Sequence, residues 1–118
     1  NSDKIAMVER YVDAFEQGDV NIIRGMYAED GVVEDPVGTE PHRGLEAICA
    51  FYAGALGAGA KLKLTGPARC AGNAVAFPFQ VLMPGMQMDV IDVFEFNADG
   101  KISSMKAYWG PDNMQTES

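Results

Sequence analysis

The hydrophobic period changes near the middle of this chain, and that change limits what it can fold into. Through Leu56 the apolar residues recur every three or four positions, as on one face of a helix; beyond it they alternate, as on a strand. From Asp3 to Gln17 the residues Ile5, Val8, Tyr11, Val12 and Phe15 form one stripe, and Gly18 supplies the stop. Asp19 is placed to cap a second helix on which Ile22, Ile23, Met26 and Tyr27 share a face, before Glu29-Asp30-Gly31 turns the chain. Val32-Val33-Glu34-Asp35 reads as a short extended segment stopped by Pro36, and Gly38 to Gly44 as a polar loop that includes His42. Leu45, Ile48, Phe51, Tyr52 and Leu56 fit a third helix, ended by Gly54, Gly57 and Gly59.

In the second half, Leu62 and Leu64 alternate, as do Val75, Phe77, Phe79, Val81 and Met83, and Pro84-Gly85 is a turn. Met86 to Phe96 is then a strand, so a long hairpin is predicted, followed by a turn at Asn97–Gly100 and a last strand from Lys101 to Trp109. Pro78 has no N–H to give a ladder, so its strand should carry a bulge or lie partly at an edge there. Helices first and antiparallel strands afterwards make an α+β fold, a strongly curved sheet wrapped around three helices. A length of 118 residues suits one domain, 1–118.

Charge narrows the partners. Nine basic against seventeen acidic residues give a net charge of −8, which repels nucleic-acid backbones and anionic lipid. There is no apolar run long enough to span a membrane and no export-like amino terminus, so the cytoplasm is the expected location. Cys49 and Cys70 lack the spacing of a metal site and read as reduced packing residues on a helix and a strand. The single histidine, His42, leaves too few imidazoles for a typical zinc or iron site, so no metal and no cofactor are expected.

Asp92 is the sharpest chemical feature. Alternation puts it on the apolar side of its strand with Met88, Val90, Phe94 and Phe96, although Ile91 and Val93 blur the other side. A carboxylate buried alone is penalised by several kcal/mol and escapes by staying protonated, which makes it a hydrogen-bond donor. The other readings are a core aspartate satisfied by a backbone amide or an arginine, or a strand twisted enough to let it reach water. Asp35, before a proline, is extended and is either a solvated turn acid or a base. Tyr11, Tyr27 and Tyr52 each lie on the apolar stripe of a predicted helix. They are either three independent phenols at the core boundary or a chain of hydroxyl hydrogen bonds.

The stretches ERYVDAFEQGD, MYAEDGVVEDPVG, AFYAGALG, LTGP, DVIDVFEFNADGKI and AYW resemble the bacterial ketosteroid isomerases in order, content and spacing over nearly the whole chain. Those enzymes are themselves the worked example of a catalytic site made of an aspartate base with a tyrosine and a protonated aspartic acid as oxyanion hole. The resemblance implies Asp35 as base, Tyr11 and Asp92 as oxyanion donors, and Tyr27 and Tyr52 as supporting hydrogen-bond partners. It further implies a cone-shaped fold of the nuclear-transport-factor-like kind, a 3-oxosteroid substrate, and a homodimer packed through the sheet. Val37, Phe79, Met83, Met88, Phe94, Phe96 and Trp109 are candidate walls for a flat apolar ligand. The scaffold also serves dehydratases, polyketide cyclases and non-catalytic binding modules, so a different carbonyl chemistry or simple ligand binding are the rival readings.

Overall fold

A computed structural model describes residues 1–116. Helices α1 (Ser2–Gln17), α2 (Val20–Arg24) and α3 (Leu45–Gly57) lie against one sheet built of β1 (Tyr27–Glu34), β2 (His42–Arg43), β3 (Lys61–Leu64), β4 (Arg69–Ala71), β5 (Ala74–Met83), β6 (Met86–Phe96), β7 (Ile102–Tyr108) and β8 (Met114–Thr116). The main strand order is β2-β1-β7-β6-β5-β3, with β4 also on β5 and β8 on β6. All pairings are antiparallel except β1 with β7. The architecture is the α+β arrangement expected, an unclosed sheet with three helices.

The β5–β6 hairpin is the longest ladder. It runs without a register shift from Ala74↔Glu95 to Met83↔Met86 around Pro84-Gly85. Pro78 causes no bulge; its carbonyl accepts the Thr65 N–H on the opposite side from β6, in the gap where β3 has ended and β4 has not begun. Its missing N–H therefore falls at an interrupted edge, where no ladder partner needs it.

Local chemistry closes the helix ends. Gly18 ends α1 in the left-handed conformation, φ 65°. Lys61 Nζ, from the start of β3, donates to the carbonyls of Phe15 at 3.1 Å and Glu16 at 2.9 Å, satisfying acceptors that the last turn leaves free. The Asp19 side chain accepts from the Asn21 N–H at 2.9 Å and caps α2.

Four local expectations are corrected. The second helix stops at Arg24, and Tyr27 is the first residue of β1, because it pairs with Ile102 of β7, a partner that helical spacing cannot reveal. The predicted turn at Glu29-Asp30-Gly31 lies inside β1: Tyr27 pairs with Ile102 but Val32 with Ser104, so the intervening residues bulge from the ladder. His42 is not in a free loop, since with Arg43 it forms β2, paired Val33↔His42 and Val32↔Arg43. The third helix also runs through Gly54 to Gly57.

The last point yields a test. A Cβ at Gly54 would meet nothing within 4 Å and its φ is not positive, so Gly54→Ala should stabilise the protein by about 0.5–1 kcal/mol. Gly18→Ala meets equally open space but keeps a left-handed φ, and should destabilise by about 1 kcal/mol. Urea melts of the two variants should move the midpoint in opposite directions; a shared direction would refute the backbone argument.

Candidate active site

Between the helices and the concave face of the sheet lies a cavity of about 210 Å³. Helix α1 contributes Tyr11 and Phe15, one turn apart; α3 contributes Phe51, Tyr52 and Ala55; β5 and β6 contribute Phe79, Val81, Met83, Met88, Val90 and Asp92. Asp35 and Trp109 enter from the segments just after β1 and β7. Tyr11, Tyr52, Phe79, Val90 and Asp92 are buried, whereas Ala55, Leu62, Met83, Met88 and Trp109 are half-buried, so the phenols and Asp92 form the deep end and the apolar residues the mouth. A larger groove of about 610 Å³ runs beside Lys4, Met7 and the turns at Gly72 and Gly100, away from these residues.

The tyrosines are linked. Tyr52 Oη lies 3.1 Å from Tyr11 Oη and 2.6 Å from Tyr27 Oη, all buried, so Tyr52 is the middle of a chain whose Tyr11 end meets the cavity. The Tyr11 ring is fixed edge-on by Phe15, Phe77 and Phe94, with centroids 5.3, 5.9 and 5.1 Å away. Asp92 is 1% exposed, and neither carboxyl oxygen has a hydrogen-bond partner among the described residues. Neither an arginine nor a backbone amide satisfies it. Asp35 is held differently: the Trp109 indole N–H donates to its Oδ1 at 2.7 Å, and the residue lines the cavity.

These surroundings separate the two acids. Burial, then the negative charge of Asp35, raise the Asp92 pKa well above the usual carboxylate range, with the nearby Tyr11 hydroxyl opposing. Burial raises Asp35 as well, but the Trp109 hydrogen bond and the charge of His42 pull it back. On rising pH Asp35 therefore ionises first, and its charge helps keep Asp92 protonated. Burial likewise holds the phenols of Tyr11, Tyr27 and Tyr52 well above their ordinary value, so they remain donors. The cavity thus pairs a carboxylate with a carboxylic acid and a phenol, all in apolar walls, an arrangement able to take a proton and stabilise the negative charge that results.

Of the wall residues predicted, Phe79, Met83, Met88 and Trp109 line the cavity. Phe94 and Val37 do not: Phe94 is fully buried behind Tyr11 and Phe77, and Val37 is 42% exposed with its N–H bonded to the Ala107 carbonyl. Phe96 is half-buried and lies along the larger groove. Val81 and Val90 were legible from the same alternation that gives Phe79, Met83, Met88 and Asp92, and Phe15 from its place one turn beyond Tyr11. Phe51, Ala55, Ala60 and Leu62 carry no signal that separates wall from core. Both cysteines are free, Cys49 buried in α3 and Cys70 half-buried in β4. Among the described residues no three His, Cys, Asp or Glu side chains converge as metal ligands, and no helix is long and apolar enough to cross a membrane.

A test of the Asp92 environment needs no substrate. A folded pKa raised above the unfolded one means that the stability this acid contributes is fully present below the unfolded value, about pH 4, and is lost as pH rises through the folded value. Denaturant melts should show wild type losing stability relative to Asp92→Asn as pH climbs from about 4 towards 9, a span of the size buried carboxyl shifts reach. A relative loss confined to acid would instead mean an ionised, paired Asp92.

Residues 8–105 match the family described as the SnoaL-like domain. The chain is 43% identical over 113 residues to the steroid Delta-isomerase of Nocardioides simplex, covering 92% of this chain and 91% of that protein. Among solved structures it is similar to the epoxide hydrolase/cyclase-like enzyme SalBIII, described for pyran ring formation in the polyether salinomycin, with a TM-score of 0.89 at 25% identity, covering 95% of this chain and 94% of that one. With a family match over most of its length and a steroid Delta-isomerase relative of this identity and coverage, the chain belongs to the ketosteroid isomerase family on the SnoaL-like fold.

Proposed function

We propose that this chain is a steroid Delta-isomerase that moves the double bond of a 3-oxo-Δ5-steroid into conjugation, without a cofactor. The observation that carries the reading is the deep end of the cavity, where a fully buried Asp92, its two oxygens without a partner among the described residues, shares the lining with the end of a tyrosine chain and with a carboxylate anchored by Trp109. A ligand with one polar oxygen on a flat apolar body suits such walls.

The steps follow from the groups present. Asp35 removes the C4 proton that the 3-ketone acidifies, and charge develops on the ketone oxygen. Tyr11 and neutral Asp92 donate to that oxygen in the dienolate. The carboxylic acid so formed at Asp35 delivers the same proton to C6, regenerating the carboxylate, so no proton is gained or lost overall. For Tyr11 to donate to the ligand it must accept from Tyr52, and Tyr52 in turn accepts from Tyr27, which polarises the terminal hydroxyl. Trp109 restrains one Asp35 oxygen and lowers the cost of its charge in an apolar cavity.

A second reading, epoxide opening with ring closure or another cyclase or dehydratase chemistry, draws on the likeness to SalBIII and on the same acid–base pair. The isomerase reading is preferred for its closer relative and because the phenol chain serves an enolate oxygen. A non-catalytic binding module would have no use for two carboxyls on an apolar cavity. We also propose a homodimer through the outer face of the sheet, where cross-strand partners Ile91 and Tyr108 are each 48% exposed. Sedimentation at micromolar concentration should give a dimer for wild type and a monomer for Ile91→Arg; a wild-type monomer would refute it.

An ultraviolet assay on a β,γ-unsaturated 3-oxosteroid, read at the absorbance of the conjugated enone, tests the main proposal. Wild type should turn over well above the uncatalysed rate, and Asp35→Asn should lose at least about 10²-fold in kcat. Tyr11→Phe should lose roughly 10²-fold, with Tyr52→Phe and then Tyr27→Phe losing progressively less. A folded wild type without signal would sink the isomerase reading. Asp35→Asn retaining more than half the turnover would remove Asp35 as base, and equal losses at the three tyrosines would mean that packing alone is at stake.

A further inference from the structure

His42 is the only histidine, and neither the resemblance nor the proton path above uses it. Its strand partner is Val33, which is fully buried, and paired residues project to the same face of a sheet. Asp35 follows Val33 by two positions, just past the end of β1, and lines the cavity. On this side the imidazole stacks on Phe51, ring centroids 4.4 Å apart and planes 30° from parallel. Phe51 lines the cavity and meets Tyr52, the middle phenol, edge-on at 5.2 Å. His42 is therefore the outermost ring in a line of aromatic contacts, stacked on Phe51 and then edge-to-face through Tyr52 to Tyr11.

We propose that His42 is a positioning residue for this site: it braces Phe51 against the cavity and sets a positive charge beside Asp35, favouring the carboxylate form of the base. The inference rests on the isomerase reading only for the role of Asp35, and its central test does not require turnover.

The charge of His42 lowers the pKa of Asp35, opposing the burial that raises it. Other charges near His42 are directed or engaged elsewhere. Arg43, paired with Val32, and Glu34 belong to the opposite face; Glu34 accepts the Gly38 N–H at 2.7 Å and pairs in register with Lys106. On α3, Glu46 is bound by Arg24 at 2.7 Å, Cys49 is buried, and the Tyr52 hydroxyl is engaged by Tyr11 and Tyr27. Glu40 is exposed in the segment before β2. Among these groups Asp35, just beyond β1, is the acid that lines the cavity.

The experiment is a carboxyl ¹³C NMR titration of Asp35 in the free, full-length protein, wild type against His42→Phe, His42→Gln and His42→Arg. Phe keeps the stack and removes the charge, Gln removes both ring and charge without a hydrophobic gain, and Arg keeps a positive, stackable plane. Asp35 should titrate roughly half a pH unit higher in His42→Phe and His42→Gln, less than an ion pair in contact would give, and at or below the wild-type midpoint in His42→Arg. The differences should shrink in 1 M salt. If the isomerase reading holds, the acid limb of kcat/KM moves with the same sign, and at its plateau His42→Phe stays within about twofold of wild type while His42→Gln, having lost the brace, falls below it. An unchanged Asp35 midpoint in both neutral variants, or an upward shift in His42→Arg equal to theirs, overturns the proposal. Absence of steroid turnover in wild type overturns the isomerase reading and leaves the titration result standing.

Discussion

What faces the cavity from the sheet is held by one register, the unbroken pairing of β5 with β6 around Pro84-Gly85. It sets Val81 opposite Met88, Phe79 opposite Val90 and Phe77 opposite Asp92, with all six on the concave side. A slip of one residue would turn Asp92 outward and bring Ile91 and Val93 in, because the side-chain period of a strand is two. The tight turn and the long apolar face oppose that slip together. The tyrosine chain depends on the same register from the other side: Tyr11 is wedged against Phe77 and Phe94, one from each strand of the hairpin.

The electrostatic character of the site is a consequence of that packing. Two carboxyls share one apolar cavity, and the protein distinguishes them by neighbours and not by residue type. Asp35 sits just past the end of a strand with an indole N–H and an imidazole near it, while Asp92 is embedded in mid-strand with no partner for either oxygen among the described residues. The first environment tolerates charge and the second excludes it, so one residue type can stand as a carboxylate and as a neutral acid at the same pH.

The parts legible in the sequence are those whose cause is local. The hairpin, its turn and the sidedness of Asp92 follow from alternation over ten or so residues, and α1 from its stripe and its terminal glycine. Tyr27 reads as helical in the sequence because Ile22, Ile23 and Met26 extend a helical pattern up to it, and only pairing with Ile102, far along the chain, makes it a strand residue. The parallel contact of β1 with β7 has no local signature at all. For the same reason β2, two residues long and defined wholly by its neighbour, looked like loop, and with it the place of His42 was hidden. Trp109 was legible as a wall, but its hydrogen bond to Asp35, 74 positions away, depends on where the ends of β1 and β7 meet.

The interrupted rim at Pro78 has a bearing on how the protein behaves among its own copies. Among the described residues the sheet continues beyond β5 only as the four residues of β3 and the three of β4, with a gap facing a proline; its far margin is the two residues of β2, and the three of β8 flank β6. These fragments carry Lys61, Lys63, Arg69 and Arg43. A strand from another molecule would find no long run of free amides and carbonyls to zip onto, and would meet positive charge where it tried. A sheet this curved and apolar can therefore be left unclosed without becoming a template for fibrillar growth.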